Sequence, residues 1–247
     1  MTLSRCWQGW GVRLEVSGPA ELLDQLSEQV PPGGRFCDHP KAPEVLFQWD
    51  EIRQLWVRFP TLESFPDLEQ ALAMEVATHS PRYLFVHAGA VRYRRRALVL
   101  PGISRAGKST LVEALVRRGA SYYSDEYAVF HPDGKVSPYP RRLSLRAGPG
   151  RPEPIQIQPE NLGWEPEMEP VPLGWMLDCR YTGRHYLQPI SAGESLLSLF
   201  SNAVAARTRA KALFQSLSKA LIGVPSLRGV RSEADAAADW IMDWLSA

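Results

Sequence analysis

Gly102-Ile103-Ser104-Arg105-Ala106-Gly107-Lys108-Ser109, followed by Thr110, sets two glycines, a lysine and a hydroxyl at the spacing G-x-x-x-x-G-K-S/T, the Walker A pattern. In such a loop, successive backbone N–H groups aim at one point, and a following helix adds partial positive charge there. A polyphosphate suits that point. Gly102 and Gly107 supply turn conformations that a side chain would block, Lys108 reaches the β- and γ-phosphates, and the Ser109 hydroxyl is a ligand for Mg²⁺. The competing reading is a chance match on a glycine-containing loop, and the flanks decide between the two. Ala97-Leu98-Val99-Leu100 is a short apolar run expected to be a buried strand. Thr110 to Arg118 carries Leu111, Val112, Leu115 and Val116 on one helical stripe, and Gly119 ends it.

An acid pair follows closely. Ser121-Tyr122-Tyr123-Ser124 reads as the next strand and runs into Asp125-Glu126, with 15 residues between Ser109 and Asp125. Ligands of open α/β sheets sit outside the carboxyl ends of the strands, so these carboxylates are expected at the crevice that holds the phosphates. One can hold Mg²⁺, and one can take a proton from an attacking hydroxyl. Motor and transport ATPases place the corresponding acids further along the chain, so the short spacing argues against that class. Without the loop, Asp125-Glu126 would read as a solvated turn. Upstream, Leu84 to Val91 is an apolar run interrupted by His87, joined to Ala97–Leu100 by a turn containing Arg92, Arg94, Arg95 and Arg96. The two runs are expected to pair as an antiparallel hairpin. His87 is either a hydrogen-bonded core histidine or a catalytic one. The arginine run reads as a solvated turn, not a nucleic-acid patch.

His87-Ala-Gly-Ala, Gly102 to Thr110, and Arg118-Gly-Ala-Ser-Tyr-Tyr-Ser-Asp-Glu126 together resemble the catalytic core of the HPr kinase/phosphorylase family, in order and in spacing. The resemblance covers residues 80 to 150 well and the later chain only in general plan. It implies an α/β fold: a P-loop kinase core of the HPr kinase / phosphoenolpyruvate carboxykinase-like type, here with a small N-terminal α/β module. It also implies transfer of the γ-phosphoryl of ATP, with Mg²⁺, to a serine hydroxyl. His87 then matches the family's active-site histidine, Lys108 its phosphate-binding lysine, and Ser109 its Mg²⁺-binding serine. Asp125 and Glu126 match its acid pair, Asp125 on the metal side and Glu126 as proton acceptor. The chain departs from the family's Asp-Asp. One extra methylene displaces the carboxylate by about 1.5 Å in the extended limit, which leaves the base assignment between the two acids open. The Glu-x-Arg-Gly-Leu-Gly stretch of the full-length enzymes has no copy here, so neither phosphorylase activity nor the HPr substrate follows. An ATPase or nucleotide-dependent switch and a degenerate ATP-binding partner protein remain as alternatives. The acceptor is left as a hydroxyl-bearing protein, peptide or small molecule, and homo-oligomerisation stays open.

Length and composition frame this reading. A chain of 247 residues with 45% apolar residues can build a small domain and a medium one, expected as 1–80 and 81–247. A formal charge of +1 gives no reason to invoke nucleic acid or an anionic membrane. Cys6, Cys37 and Cys179 show no metal-site pattern and suit a reducing cytoplasm, although one pairing stays open. The segment Met1 to Gly11 lacks the apolar run of a signal peptide, and no stretch is long enough to span a membrane.

The remaining elements follow from pattern. In the first module, strands are expected over Val12–Val16, Val45–Trp49 and Leu55–Phe59, with helices over Glu21–Val30 and from Pro66 to Thr78. Glu126–His131 and Arg142–Leu145 should extend the main sheet, with Arg141, Arg142 and Arg146 either reaching a phosphate or standing as surface charges. Residues 147–172, rich in Pro, Gly and Glu around Trp164, read as a long loop, either a binding loop or lid or a disordered segment. Leu173–Leu177 and Arg184–Gln188 read as a strand pair. Ser191 should cap a helix from Ala192 to Arg207, a second helix should reach Leu221, and Ser232 with Asp235 should open a last helix over Ala236–Leu245.

Overall fold

The computed structural model describes residues 2–37, 43, 45–65, 67–102, 106–145, 155–163 and 169–247. Its chain divides into two compact units, Met1–Tyr83 and Leu84–Ala247, and each mixes helices with sheet. The architecture is therefore α/β.

In the first unit β1 (Thr2–Gly9) and β2 (Val12–Pro19) form a hairpin, followed by α1 (Ala20–Asp24), α2 (Leu26–Gln29) and β3 (Gly34–Cys37). Then come β4 (Val45–Asp50), β5 (Leu55–Phe59), β6 (Glu63–Phe65) and α3 (Leu68–His79). The sheet order is β3-β1-β2-β4-β5-β6, with β2 and β4 parallel. Alternation on β2 sends Val12, Leu14 and Val16 into the core, as its period of two requires. The expected helix over Glu21–Val30 is broken at Gln25 into α1 and α2. Asp67 caps α3 by accepting from the Gln70 N–H, and Pro66, its expected start, lies outside the described residues. Cys6 and Cys37 face each other across β1 and β3 and are joined as a disulfide, a choice of partners among the three cysteines that the sequence does not make. Disulfides belong to oxidising conditions, so in a reducing compartment the same residues would stand as two facing thiols.

The second unit opens with a hairpin of β7 (Leu84–Tyr93) and β8 (Arg96–Pro101), turning at Arg94 and Arg95. Next are α4 (Lys108–Val116), β9 (Ser121–Ser124), β10 (Tyr127–Phe130) and β11 (Lys135–Ser137). β12 (Leu143–Leu145) and β13 (Ile155–Ile157) precede β14 (Val171–Tyr181), β15 (Tyr186–Pro189), α5 (Ala192–Ser201), α6 (Ala210–Ala220), β16 (Ser226–Arg231) and α7 (Ala234–Ser246). The main sheet runs β11-β10-β7-β8-β14-β16-β15, and β9 pairs with β7 beside β10. β8, β14 and β16 are parallel. β8 and β9 both run antiparallel to β7, so these two also point the same way and end at one edge of the sheet.

Alternate residues of the central strands feed two cores. Val86, Val99 and Met176 pack with Leu199, Leu213 and Leu217 from α5 and α6. Leu98, Leu100 and Leu177 pack with Leu111 and Leu115 of α4 and with Ala238 and Ile241 of α7. The two helical layers thereby clamp β8, the strand that enters the glycine-containing loop. Trp240 and Trp244 stack, partly buried, against the second core.

Several expectations need correction. Among the described residues β12 stands outside the main sheet and pairs with β13, whose Ile-Gln-Ile alternation sits inside the segment expected to be a loop. Arg146, Trp164 and much of that loop lie outside the described residues. β14 and β15 are not neighbours, because β16, a strand the pattern did not announce, is inserted between them. α5 stops at Ser201, although its capping box at Ser191 and Glu194 is present. α7 begins at Ala234 behind Glu233, and Ser232 does not cap it.

Candidate functional site

The site is set by where β8 and β9 end. β8 finishes at Pro101, and the Gly102 N–H donates to the His87 carbonyl oxygen at 3.2 Å, tying the start of the loop to β7. Ile103, Ser104 and Arg105 lie outside the described residues. The loop closes at Gly107, in the left-handed region with φ 82° and ψ 22°, where a side chain would be strained. α4 starts directly behind it, so Lys108 and Ser109 occupy the first turn, where backbone N–H groups have no partner within the helix. Thr110 is exposed on that same turn and Ala106 is half-buried before it. Lys108 Nζ donates to the Gly102 carbonyl oxygen at 2.8 Å, so the side chain folds back across the loop.

The acids sit in the bend between β9 and β10. The buried Ser124 hydroxyl oxygen accepts from the Glu126 N–H at 3.1 Å and the Tyr127 N–H at 3.0 Å, which forces the chain round after Ser124. The Glu126 carbonyl oxygen in turn accepts from the Ala88 N–H at 3.1 Å, fixing the bend to β7. As a result the Asp125 carboxylate meets the helix. Ser109 Oγ donates to Asp125 Oδ2 at 2.8 Å. The Tyr122 hydroxyl stands 3.1 Å from Asp125 Oδ1 and 2.9 Å from the Arg141 carbonyl oxygen, sharing its proton between them. Glu126 pairs with Arg141. His87, opposite Tyr127 in the register of β7 and β10, packs its ring 4.8 Å from the tyrosine ring.

The electrostatics are those of a crowded, partly dry site. Burial pushes the Asp125 carboxyl above its ordinary value, against the opposing pull of Ser109, Tyr122 and Arg141. Burial lowers Lys108, while the charges of Asp125 and Glu126 work in the other direction. Burial and then the Lys108 charge lower His87, which keeps its imidazole neutral at pH 7. One lysine, one hydroxyl and two carboxylates thus converge from residues 102 to 126. A hydroxyl and a carboxylate 2.8 Å apart are a donor set suited to Mg²⁺, which keeps waters and phosphate oxygens as its other ligands. Among the described residues no group of three or more His, Cys, Asp or Glu forms a cage for a metal on its own.

Three neighbours were not assigned from sequence as parts of this arrangement. The sequence places Tyr122 in a strand and in the Arg118–Glu126 stretch of the resemblance without a role of its own, gives Arg141 as a phosphate contact or a surface charge, and does not single out Arg231. Arg231 ends β16 and donates to the Gly107 carbonyl oxygen at 2.8 Å, 124 positions away in sequence. Only the topology of β16 brings it there, and no local pattern carries that information.

No family model matches the chain, and no curated protein matches it. Among solved structures it is similar to the HPr(Ser) kinase/phosphatase from Coxiella burnetii, with 12% identity over 65% of this chain and 95% of that chain and a TM-score of 0.35. A likeness of that degree carries no assignment of family or function.

Proposed function

We propose that this protein is an ATP-dependent kinase whose P-loop, residues 102 to 110, binds the nucleotide and which passes the γ-phosphoryl group to a hydroxyl of a protein, peptide or small molecule. The observation that carries this reading is the 2.8 Å contact between Ser109 at the start of α4 and Asp125 in the bend after β9, with Lys108 beside them. A phosphate-binding helix terminus and an acid pair then share one edge, as phosphoryl transfer requires. ATP with Mg²⁺ supplies the transferable phosphoryl group and neutralises its charge.

The chain's own residues do the rest. The N–H groups at the start of α4 hold phosphate oxygens, and Lys108 exchanges its bond to the Gly102 carbonyl for one to phosphate. Ser109 and Asp125 hold the metal side. Asp125 is committed there by Ser109 and Tyr122, so Glu126 is the acid left to orient the acceptor hydroxyl and take its proton. The ion pair with Arg141 fixes where the Glu126 carboxylate points. In a loose transition state the hydroxyl proton leaves late, so the orientation of Glu126 counts for more than its basicity. His87 acts as a neutral dipole toward the transferred group.

Purified protein incubated with γ-labelled ATP and Mg²⁺, with and without a host lysate, tests this. Label should enter an acid-stable acceptor, and Lys108→Ala should lower transfer by roughly 10²-fold or more, the scale of losing a contact made in the transition state. Glu126→Gln should slow transfer while leaving nucleotide binding in place. Rapid release of free phosphate without labelled acceptor would replace the kinase by an ATPase. Nucleotide binding without either product would make the protein an ATP-binding partner.

A further inference from the structure

We infer that Arg231 is a positioning residue for the phosphate loop: its guanidinium holds the Gly107–Lys108 peptide in the orientation that presents the helix N–H groups to a nucleotide polyphosphate. This rests on the P-loop reading above and adds a residue from the opposite end of the unit.

Arg231 is 4% exposed, at the last position of β16. Its Nη2 donates to the Gly107 carbonyl oxygen at 2.8 Å and its Nη1 to the Ser232 carbonyl oxygen at 2.9 Å. The guanidinium carbon lies 5.5 Å from the centre of the Tyr181 ring. Among the described residues these partners are neutral, and the nearby Glu233 accepts instead from the Tyr181 hydroxyl at 2.5 Å. A buried cation without a paired carboxylate is costly, and an anion arriving at the loop would lower that cost. The Gly107 carbonyl also accepts the first helical bond, from the Leu111 N–H at 3.2 Å. A charged donor on that carbonyl polarises the peptide, which strengthens its N–H, belonging to Lys108, as a donor to phosphate. Gly107 is also matched to Arg231 in space. A Cβ at position 107 would stand 2.6 Å from Arg231 Nη2, so the close approach needs glycine beyond what the positive φ demands.

The test titrates a fluorescent ADP analogue with Mg²⁺ into wild-type protein, Arg231→Met and Arg231→Lys, together with the KM for ATP, kcat and amide exchange over residues 106 to 110. Arg231→Met should weaken nucleotide binding by about tenfold to a hundredfold, the scale of losing a charge-assisted hydrogen bond. KM should rise more than kcat falls, and exchange of the loop amides should quicken. Arg231→Lys keeps the charge but not the fork, and should recover only part of the loss. Wild-type affinity in Arg231→Met, even with lowered thermal stability, would overturn the inference. So would full recovery by lysine, which would reduce the effect to charge alone. Should Arg231→Met fail to fold, the lysine variant and amide exchange decide by the same criteria. A wild-type protein that binds no nucleotide would overturn the P-loop reading itself, an outcome distinct from the others.

Discussion

Asp125 is the residue at which stability and function pull apart. Its carboxyl is held above the ordinary value of 3.8 chiefly by burial. The folded state therefore favours the neutral form. The stability this contributes is complete below pH 3.8 and is lost as pH rises through the folded-state value, so at neutral pH the ionised carboxylate is a cost. Asp125→Asn keeps an acceptor for Ser109 and removes the charge. Its thermal midpoint should exceed that of wild type at pH 7, the gap should close as pH falls toward 4, and phosphoryl transfer should be lost. A variant less stable than wild type at pH 7 would contradict this account of the carboxylate. His87 has the opposite sign: its lowered value makes stability fall as pH drops below 6.5. Chemical identity at this scale was legible because lysine, hydroxyl and acids lie within one short stretch of chain. Which acid faces the metal was not legible, since that depends on the hydrogen bonds of Ser124, Tyr122 and Arg141, which residue types and spacing do not specify.

The element that decides the site is the bend between β9 and β10. Ser124 accepts two N–H groups there, and replacing it with alanine would leave both without that partner in a buried bend. Ser124→Ala should cost about 1–3 kcal/mol of stability in denaturant unfolding. It should also lower kcat with little change in nucleotide affinity, because α4 and the loop are held by other bonds. Unaltered kcat would show that the acids are positioned without Ser124. Strands β7, β8 and β9, helix α4 and the Ser191 cap of α5 were readable because the local residue pattern announced each, whereas the reciprocal bond from Glu194 came only with the structure. β16 was not: Ser226–Arg231 carries a glycine and two arginines, and only pairing with β14 and β15 makes it a strand.

Across the whole molecule, β8 and β9 enter the site from one sheet and α4 leaves it, while β16 returns from near the end of the chain to brace the loop. Residues 87 and 126 delimit what the motifs can show, and Arg231 and Arg141 show what the topology adds. The central claim is that this edge binds a metal–nucleotide polyphosphate. Calorimetric titration of ATP into wild-type protein and Lys108→Ala, with Mg²⁺ and with chelator, tests it most directly. The account predicts one Mg²⁺-dependent site in wild type, weakened at least about tenfold in the variant. Absence of binding, or equal affinity in the two proteins, would contradict it.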